Sequence, residues 1–179
     1  MNPVYKTDRL ILRPRSLNDL EDCVAMDLDP AVVKYNRPTE DEETHRAFLQ
    51  ERFKRSYEDG LGFWSVFLRK EDGSQGDFIG WVLLVPLADE GPEVEIGYRF
   101  IQAAWGNGYA SEAAAVIRDH AFQQTDLYEI VAVTHPENRA SQSVLRKIGL
   151  LQKEDKLAYG QMLPFFTLEK ARWQELSAA

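Results

Sequence analysis

The amino-acid sequence predicts an α/β (α+β) fold, with a mixed, mostly antiparallel central sheet of about seven strands and flanking helices. Residues 63–100 carry apolar runs typical of strands, whereas residues 110–123 place apolar side chains at helical spacing. Residues 130–133 form a continuous apolar run, which is typical of a central strand covered on both faces. Because no linker or repeat interrupts the 179 residues, we expect a single domain over 1–179.

The predicted elements follow one another closely along the chain. A first strand at 9–13 ends at Pro14 and is followed by two helices, the first capped at Ser16 and the second beginning near Thr39. Asn138 caps a later helix that ends at Gly149. The remaining strands are predicted at 63–68, 78–85, 94–100, 130–133, 150–157 and 164–168.

Composition restricts the possible partners and the compartment. The formal net charge of -8 disfavours nonspecific binding of nucleic acid and favours cationic partners such as amines. No apolar run is long enough to span a membrane, and the first residues lack the apolar core of a secretory signal. Since Cys23 is the single cysteine, we expect no disulfide, no cysteine-based metal site and a cytoplasmic location. The sequence leaves monomer and homodimer open.

A glycine-containing loop precedes the helix at 110–123. Gly106 and Gly108 can adopt positive φ and let a ligand approach the backbone. The free N–H groups at the start of the helix point towards the same loop, so the pair predicts an anion site suited to a diphosphate. Two glycines alone are a weak signal, and the strand before and the helix after them strengthen it.

Segments 105–113 and 137–150 together resemble the GNAT family of N-acetyltransferases, and most closely its ribosomal-protein alanine acetyltransferases. Segments 7–14, 95–98 and 168–173 are similar to that branch as well. The resemblance covers nearly the whole chain and implies the GNAT fold. It also implies transfer of an acetyl group from acetyl-CoA, as co-substrate and without a metal, to a primary amine by direct attack in a ternary complex. The acceptor would be a protein N-terminal amine or a small-molecule amine.

The resemblance also implies roles for individual residues. Backbone groups of Tyr98 and Phe100 would pair with the pantetheine arm, and Asn138 and Ser141 would face the pantetheine end and the thioester sulfur. The pyrophosphate would bind to backbone N–H groups of Trp105, Gly106, Asn107, Gly108, Tyr109 and Ala110.

The sequence departs from the family pattern at two positions. Ala103 replaces the usual Gln or Arg before the first glycine, which removes a side-chain contact to the cofactor. Leu145 replaces a tyrosine that acts as an acid towards the leaving thiolate in many relatives, so Ser141 or water would substitute. Glu93 and Glu95 share one face of a strand, and Glu95 is the predicted general base because it lies closer to the expected thioester. Glu93 is interpreted as an edge-strand charge.

A catalytically weak acyl-CoA-binding or sensor protein is the alternative, favoured by the missing tyrosine. A dinucleotide-binding oxidoreductase is a poor fit, because the loop lacks the third glycine and an acidic residue about 20 residues later. The sequence does not identify the acceptor. Its specificity is expected to reside in residues 35–38 and in the last hairpin.

Overall fold

The structure is a computed structural model and describes residues 2–36, 41–58 and 60–178. Five helices occur in these ranges: α1 (Leu20–Asp27), α2 (Glu42–Phe53), α3 (Tyr109–Gln124), α4 (Arg139–Lys147) and α5 (Lys170–Ala178). The strands are β1 (Tyr5–Lys6), β2 (Leu10–Pro14), β3 (Gly62–Arg69), β4 (Gln75–Pro86), β5 (Val94–Phe100), β6 (Glu129–Val133), β7 (Leu151–Gln152), β8 (Lys156–Ala158), β9 (Gln161–Leu163) and β10 (Phe165–Glu169).

In the described part of the chain, eight strands form one sheet in the order β1-β2-β3-β4-β5-β6-β10-β7, and β8 and β9 form a separate hairpin. Strand pairs in the large sheet are antiparallel except β5 with β6, which run parallel. The predicted mixed, mostly antiparallel sheet with flanking helices is therefore confirmed.

Helix α3 covers one face of the central strands. Its small residues Ala113, Ala114 and Ala121 are fully buried together with Ile117, and they let the helix axis approach the sheet closely. Strand β6 is interior to the sheet, with Ile130, Val131 and Ala132 buried, as its continuous apolar run predicts.

The C-terminal part of the chain differs from the prediction. Residues 150–157 do not form one strand, because the charged segment 153–155 separates β7 from the β8–β9 hairpin. Strand β1 and helix α5 were missed, since each is short and lacks a clear apolar period. Thr39 lies outside the described residues, and α2 begins at Glu42, where the Asp41 side chain accepts a hydrogen bond from the Thr44 N–H at 3.0 Å.

Candidate active site

The sheet opens between β5 and β6. Within the described residues, β5 and β6 are paired at one position, where Glu95 lies opposite Val131. Strand β4, by contrast, stays paired with β5 as far as Phe100. On the β4 side, the Glu93 carbonyl accepts a hydrogen bond from the Leu87 N–H at 2.8 Å, and the Ile101 N–H donates to the Ile79 carbonyl at 3.0 Å. Because backbone groups alternate along a strand, those of the even-numbered residues face the opposite way, into the opening.

The backbone groups of Tyr98 and Phe100, the residues predicted to pair with the pantetheine arm, therefore face the opening. The Phe100 carbonyl already accepts a hydrogen bond from the Trp105 indole N–H at 2.9 Å. That contact fixes Trp105, which is half-exposed, at the mouth of the opening. The backbone of Tyr98 and the N–H of Phe100 remain as the groups suited to an extended amide-containing ligand.

The glycine loop lies at the start of α3. Gly106 and Gly108 adopt φ of 77° and 80°, and Gly108 is the residue that caps the 16-residue helix. Asn107 turns its side-chain amide back on the loop and donates to the Ala104 and Trp105 carbonyls at 3.3 and 3.0 Å. A cleft of about 170 Å³ results, lined by Phe100, Ala104, Trp105, Gly106, Gly108, Tyr109, Ala110, Ser111 and Val144. The cleft combines free backbone donors with the positive end of a helix dipole, the elements of an anion site.

Arg9 reaches this loop from the N-terminal segment. Its Nη1 donates to the Asn107 carbonyl at 3.0 Å, its Nε and Nη2 donate to the Glu112 carboxylate at 2.8 and 2.5 Å, and its guanidinium lies 4.7 Å from the Tyr109 ring centroid. A wider groove of about 410 Å³ shares Gly108 with the cleft, and Arg9 and Lys147 are among the side chains that line it. Arg9 was predicted only as the start of a strand and as part of the family resemblance, so its contacts with the loop were not foreseen.

Asn138 and Ser141 meet at the first turn of α4. The Asn138 side-chain oxygen accepts a hydrogen bond from the Ser141 N–H at 3.1 Å, so Asn138 is the N-cap that its position predicts. Ser141 lies against β5, where the Tyr98 hydroxyl donates to its carbonyl oxygen at 2.8 Å and lies 3.1 Å from its Oγ.

A tyrosine hydroxyl is therefore present beside Ser141, although it does not come from α4. Leu145, one helical turn further along, is buried in the main core and carries no chemistry. Burial raises the pKa of the Tyr98 phenol above its ordinary value, which keeps the proton on the oxygen and makes Tyr98 a hydrogen-bond donor. The side chain of Tyr98 was not predicted to take part, since its backbone alone was assigned to the cofactor.

Glu95 lies on the other face of β5, because side chains alternate along a strand. It is 7% exposed, and the Tyr159 hydroxyl donates a hydrogen bond to its Oε2 at 2.5 Å. Burial raises the pKa of the Glu95 carboxyl to about 7, although the Tyr159 hydrogen bond and the Val133 backbone oppose that rise. A carboxylate with such a pKa changes its protonation state near neutral pH, as a general base requires.

Glu93 has a different environment. It forms an ion pair with Lys156, and the hydrogen bond from that ammonium holds the pKa of its carboxyl below the usual range. A carboxylate that is paired in this way is a poor proton acceptor, so the geometry favours Glu95 over Glu93.

Further polar and aromatic side chains line the Glu95 face. The buried Asp27 accepts a hydrogen bond from Arg99 at 2.7 Å and lies 3.1 Å from the His45 ring nitrogen. Tyr35 stacks on His135, just beyond β6, with ring centroids 4.9 Å apart. Tyr35 belongs to the segment predicted to select the acceptor, whereas Arg37 and Pro38 lie outside the described residues.

A comparison with known families identifies the fold. Residues 9–151 match the family model described as the acetyltransferase (GNAT) domain, and this range includes the opening, the loop and the first turn of α4. The chain belongs to the GNAT acetyltransferase family. It is accordingly an acetyl-CoA-dependent N-acetyltransferase, and the predicted class of reaction is confirmed.

Individual GNAT relatives agree with this assignment. The chain is 31% identical over 173 residues to an uncharacterized N-acetyltransferase, p20, of Bacillus licheniformis, covering 93% of this chain and 94% of that one. It is 30% identical over 162 residues to the FsC-acetyl coenzyme A-N(2)-transacetylase of Aspergillus fumigatus, covering 85% of this chain and 66% of that one.

Among solved structures, an acetyltransferase from Agrobacterium tumefaciens superimposes with a TM-score of 0.76 at 25% identity, covering 94% of this chain and 95% of that one. RimL, a ribosomal alpha-N-protein acetyltransferase solved with coenzyme A, superimposes with a TM-score of 0.73 at 15% identity, covering 93% and 98% of the two chains. At that identity the likeness to RimL shows the fold alone.

Two further properties bear on the site. Among residues 2–36, 41–58 and 60–178, no cluster of three or more His, Cys, Asp or Glu side chains is arranged to hold a metal ion. No helix in the part of the chain that the structure describes is long and apolar enough to cross a membrane.

Proposed function

We propose that this GNAT enzyme acetylates a primary amine by direct attack on acetyl-CoA, within one domain and in a ternary complex, with Glu95 as the general base. The observation that carries the proposal is the burial of Glu95 on one face of β5, beside an opening whose other face holds Ser141 and Tyr98. The thioester is thereby flanked by a proton acceptor on one side and hydrogen-bond donors on the other.

The cofactor is proposed to follow the glycine loop into the opening. The Trp105 N–H already donates to the Gln102 carbonyl at 3.1 Å, so backbone N–H groups from Gly106 to Ala110 would bind the pyrophosphate, and the pantetheine arm would pair with Tyr98 and with the Phe100 N–H. Support comes from the positive φ of Gly106 and Gly108, from the cleft that they line and from the direction of the β5 backbone. Asn138 keeps its capping role and offers its side-chain N–H₂ to the arm.

The reaction requires one proton to leave the amine and one to reach the sulfur. Glu95 accepts the proton of the attacking nitrogen, directly or through a water, as the C–N bond forms and the C–S bond breaks. Ser141 donates a hydrogen bond to the departing sulfur, and Tyr98 holds the Ser141 backbone in place through its hydrogen bond to the Ser141 carbonyl. A thiolate whose parent thiol has a pKa of about 8.5 is a good leaving group. A hydrogen bond is therefore enough to assist its departure, and the sulfur takes its proton from solvent.

This arrangement weakens the case for a catalytically weak acyl-CoA-binding or sensor protein. That alternative was based on Leu145, which occupies the position of a tyrosine acid. Tyr98 now supplies a phenol beside Ser141 from a different element. Steady acetylation of any amine would favour an active acetyltransferase over a sensor.

Two classes of acceptor amine are proposed. A protein N-terminal amine is supported by the resemblance of segments 7–14, 95–98 and 168–173 to the ribosomal-protein alanine acetyltransferases, whereas RimL itself shares only the fold. The 30% identity to a relative named as an FsC-acetyl coenzyme A-N(2)-transacetylase supports transfer to a nitrogen and leaves a small-molecule amine as the other class. The acidic groups near Glu95 do not favour a polycation specifically, since Glu93 is paired with Lys156 and Asp89 with Arg55.

An amine panel tests the proposal. Purified protein, acetyl-CoA and a thiol reagent are combined with N-terminal peptides, polyamines, amino acids and aminoglycosides, and release of free coenzyme A is followed. We expect acceptor-dependent thiol release that Glu95→Gln lowers at least about tenfold at pH 7. Release that is the same with and without every amine, in protein that binds acetyl-CoA, would contradict the proposal and favour the sensor.

A further inference from the structure

The turn of the β8–β9 hairpin carries an unexpected residue. Tyr159 and Gly160, the two residues that connect the strands, have φ of 51° and 74°. Positive φ at both positions is typical of a type I′ turn, in which Asn-Gly is preferred and a bulky side chain at the first position is unfavourable. The Tyr159 side chain does not compensate by becoming buried, since the residue is 55% exposed. Neither turn geometry nor apolar burial therefore explains a tyrosine at this place.

The phenol oxygen has a specific partner instead. The Tyr159 hydroxyl donates to Oε2 of Glu95 at 2.5 Å, a distance typical of a hydrogen bond to a charged oxygen. Although much of the residue is exposed, desolvation of its hydroxyl end beside Glu95 raises the pKa of the Tyr159 phenol above its ordinary value, and the charge of Glu95 raises it further, so Tyr159 stays protonated and remains a donor. A residue that keeps an unfavourable backbone conformation and thereby places its side chain on one specific partner is commonly part of a functional site.

The hairpin is anchored where it can hold this contact. Ala158 and Leu163 are buried against Leu87 and Val131, and Lys156 pairs with Glu93 two residues before Glu95. The other charged groups that face Glu95 are Asp89, beyond β4, and Arg52 of α2, and these two approach each other at 3.9 Å. Tyr159 is thus the side chain that contacts the Glu95 carboxylate directly, whereas the charges act from further away.

We propose that Tyr159 is a positioning residue for the general base: it fixes one oxygen of Glu95, keeps the carboxylate ionised and leaves Oε1 to face the incoming amine. The inference rests on the proposed function, in which Glu95 is the base. A donor hydrogen bond stabilises the carboxylate relative to the carboxylic acid, so its removal raises the pKa of Glu95 and leaves a smaller fraction of the carboxylate ionised, and able to accept a proton, at neutral pH.

Two substitutions separate this role from a structural one. Tyr159→Phe keeps the ring over Glu95 and removes the donor, whereas Tyr159→Asn installs the residue that a type I′ turn prefers. The control is the double variant Glu93→Gln/Lys156→Gln, which removes the other polar tether of the hairpin without changing the sum of local charges.

The first measurement is a carbon-13 NMR titration of the Glu95 carboxyl in the full chain, with the signal assigned by its loss in Glu95→Gln. We expect Tyr159→Phe to move the midpoint upward by about one pH unit and the control to leave it in place. The inference is overturned if Tyr159→Phe leaves the midpoint unchanged or if the control moves it as far. This readout needs no turnover, so it tests the inference even if the proposed reaction fails.

The second measurement is kcat against pH with the best amine. We expect Tyr159→Phe to lower kcat several-fold at pH 7 and to approach the wild-type value at high pH, where Glu95 is ionised in both. We expect Tyr159→Asn to fold at least as stably as wild type and still to lose rate. Full kcat in Tyr159→Asn would overturn the inference, whereas full kcat in Glu95→Gln would instead refute the base itself.

Discussion

The Tyr98 hydroxyl lies 3.1 Å from the Oγ of Ser141 and donates to the Ser141 carbonyl oxygen at 2.8 Å. The contact joins β5 to the first turn of α4 across the face of the sheet that the cofactor is proposed to occupy. If Ser141 contacts the leaving sulfur as proposed, Tyr98 would set the position of the Ser141 hydroxyl by holding the first turn of α4 against β5.

Substitution of Tyr98 and Ser141 tests this arrangement. We expect Tyr98→Phe to lower kcat by about three- to tenfold, the value of one neutral hydrogen bond, with little change in the Kd of acetyl-CoA. Ser141→Ala should cost at least as much. Because Tyr98 acts through Ser141, the double variant should be no slower than Ser141→Ala alone. If the factors by which the two single substitutions lower the steady-state rate instead multiply in the double variant, the two hydroxyls do not cooperate.

The glycine loop is tested by Gly106→Glu. An added Cβ at Gly106 meets no atom within 4 Å, so the carboxylate would project into the proposed pyrophosphate site without a clash in the free protein. We expect the Kd of acetyl-CoA to rise more than about tenfold by calorimetry, because two anions would then compete for one site. Gly73→Glu is the matched control, since its φ of 79° imposes the same backbone strain in the turn between β3 and β4. Equal losses of affinity in the two variants would place the phosphate elsewhere.

Arg9→Lys tests whether Arg9 organises the loop or only attracts anions. Lysine keeps the positive charge but cannot bind the Asn107 carbonyl and the Glu112 carboxylate in the same forked arrangement. If Arg9 holds the loop in shape, we expect a Kd for acetyl-CoA that is weaker by roughly three- to tenfold, close to that of Arg9→Gln. Calorimetry gives the Kd of acetyl-CoA for both variants. If Arg9→Lys binds acetyl-CoA as tightly as wild type while Arg9→Gln binds it weakly, the positive charge alone matters.

Patterns that are local in sequence predicted much of this molecule. The alternating and continuous apolar runs gave β3 to β6, and the small residues of α3 predicted its close approach to the sheet, because burial of one face imposes such a period. The loop glycines and the Asn138 cap were predictable for the same reason, since each depends on its immediate neighbours in the chain.

Contacts between distant segments were not predictable. Arg9 and Asn107 are 98 residues apart, and Tyr159 and Glu95 are 64 apart, so no spacing in the sequence links either pair. The β8–β9 hairpin was missed because Tyr159 occupies a turn position where glycine or asparagine is the usual signal. Tyr98 was assigned through its backbone, and its side chain could be placed only once the β5 register was known.

Stability should depend on pH through Glu95. The pKa of this carboxyl is about 7 in the folded protein and 4.5 as its ordinary value, so the folded state binds the proton more tightly. Its contribution to the free energy of unfolding is therefore full below pH 4.5 and falls as the pH rises towards 7. We expect Glu95→Gln to be more stable than wild type above pH 7, by up to about 3 kcal/mol, and equal to it near pH 4.5.

The matched control for that measurement is Glu93→Gln. The Lys156 hydrogen bond lowers the pKa of Glu93, so this carboxylate stabilises the fold above its ordinary pKa and loses that effect as the pH falls. Glu93→Gln should accordingly be less stable than wild type at neutral pH, the opposite sign. Urea unfolding at several pH values gives both differences, and the same sign for both variants would contradict the account of their environments.

The pH dependence of kcat in wild type and Glu95→Gln tests the central claim most directly, with saturating acetyl-CoA and the best amine. Glutamine keeps the shape of the side chain and removes the proton acceptor, so kcat at pH 7 should fall at least about tenfold while the Kd of acetyl-CoA stays nearly unchanged. The wild-type rate should rise through a midpoint near 7, the pKa of Glu95, and the deficit of the variant should shrink at high pH as free amine becomes abundant. A Glu95→Gln enzyme with full kcat at pH 7, or with a deficit independent of pH, would contradict the assignment of Glu95 as the base.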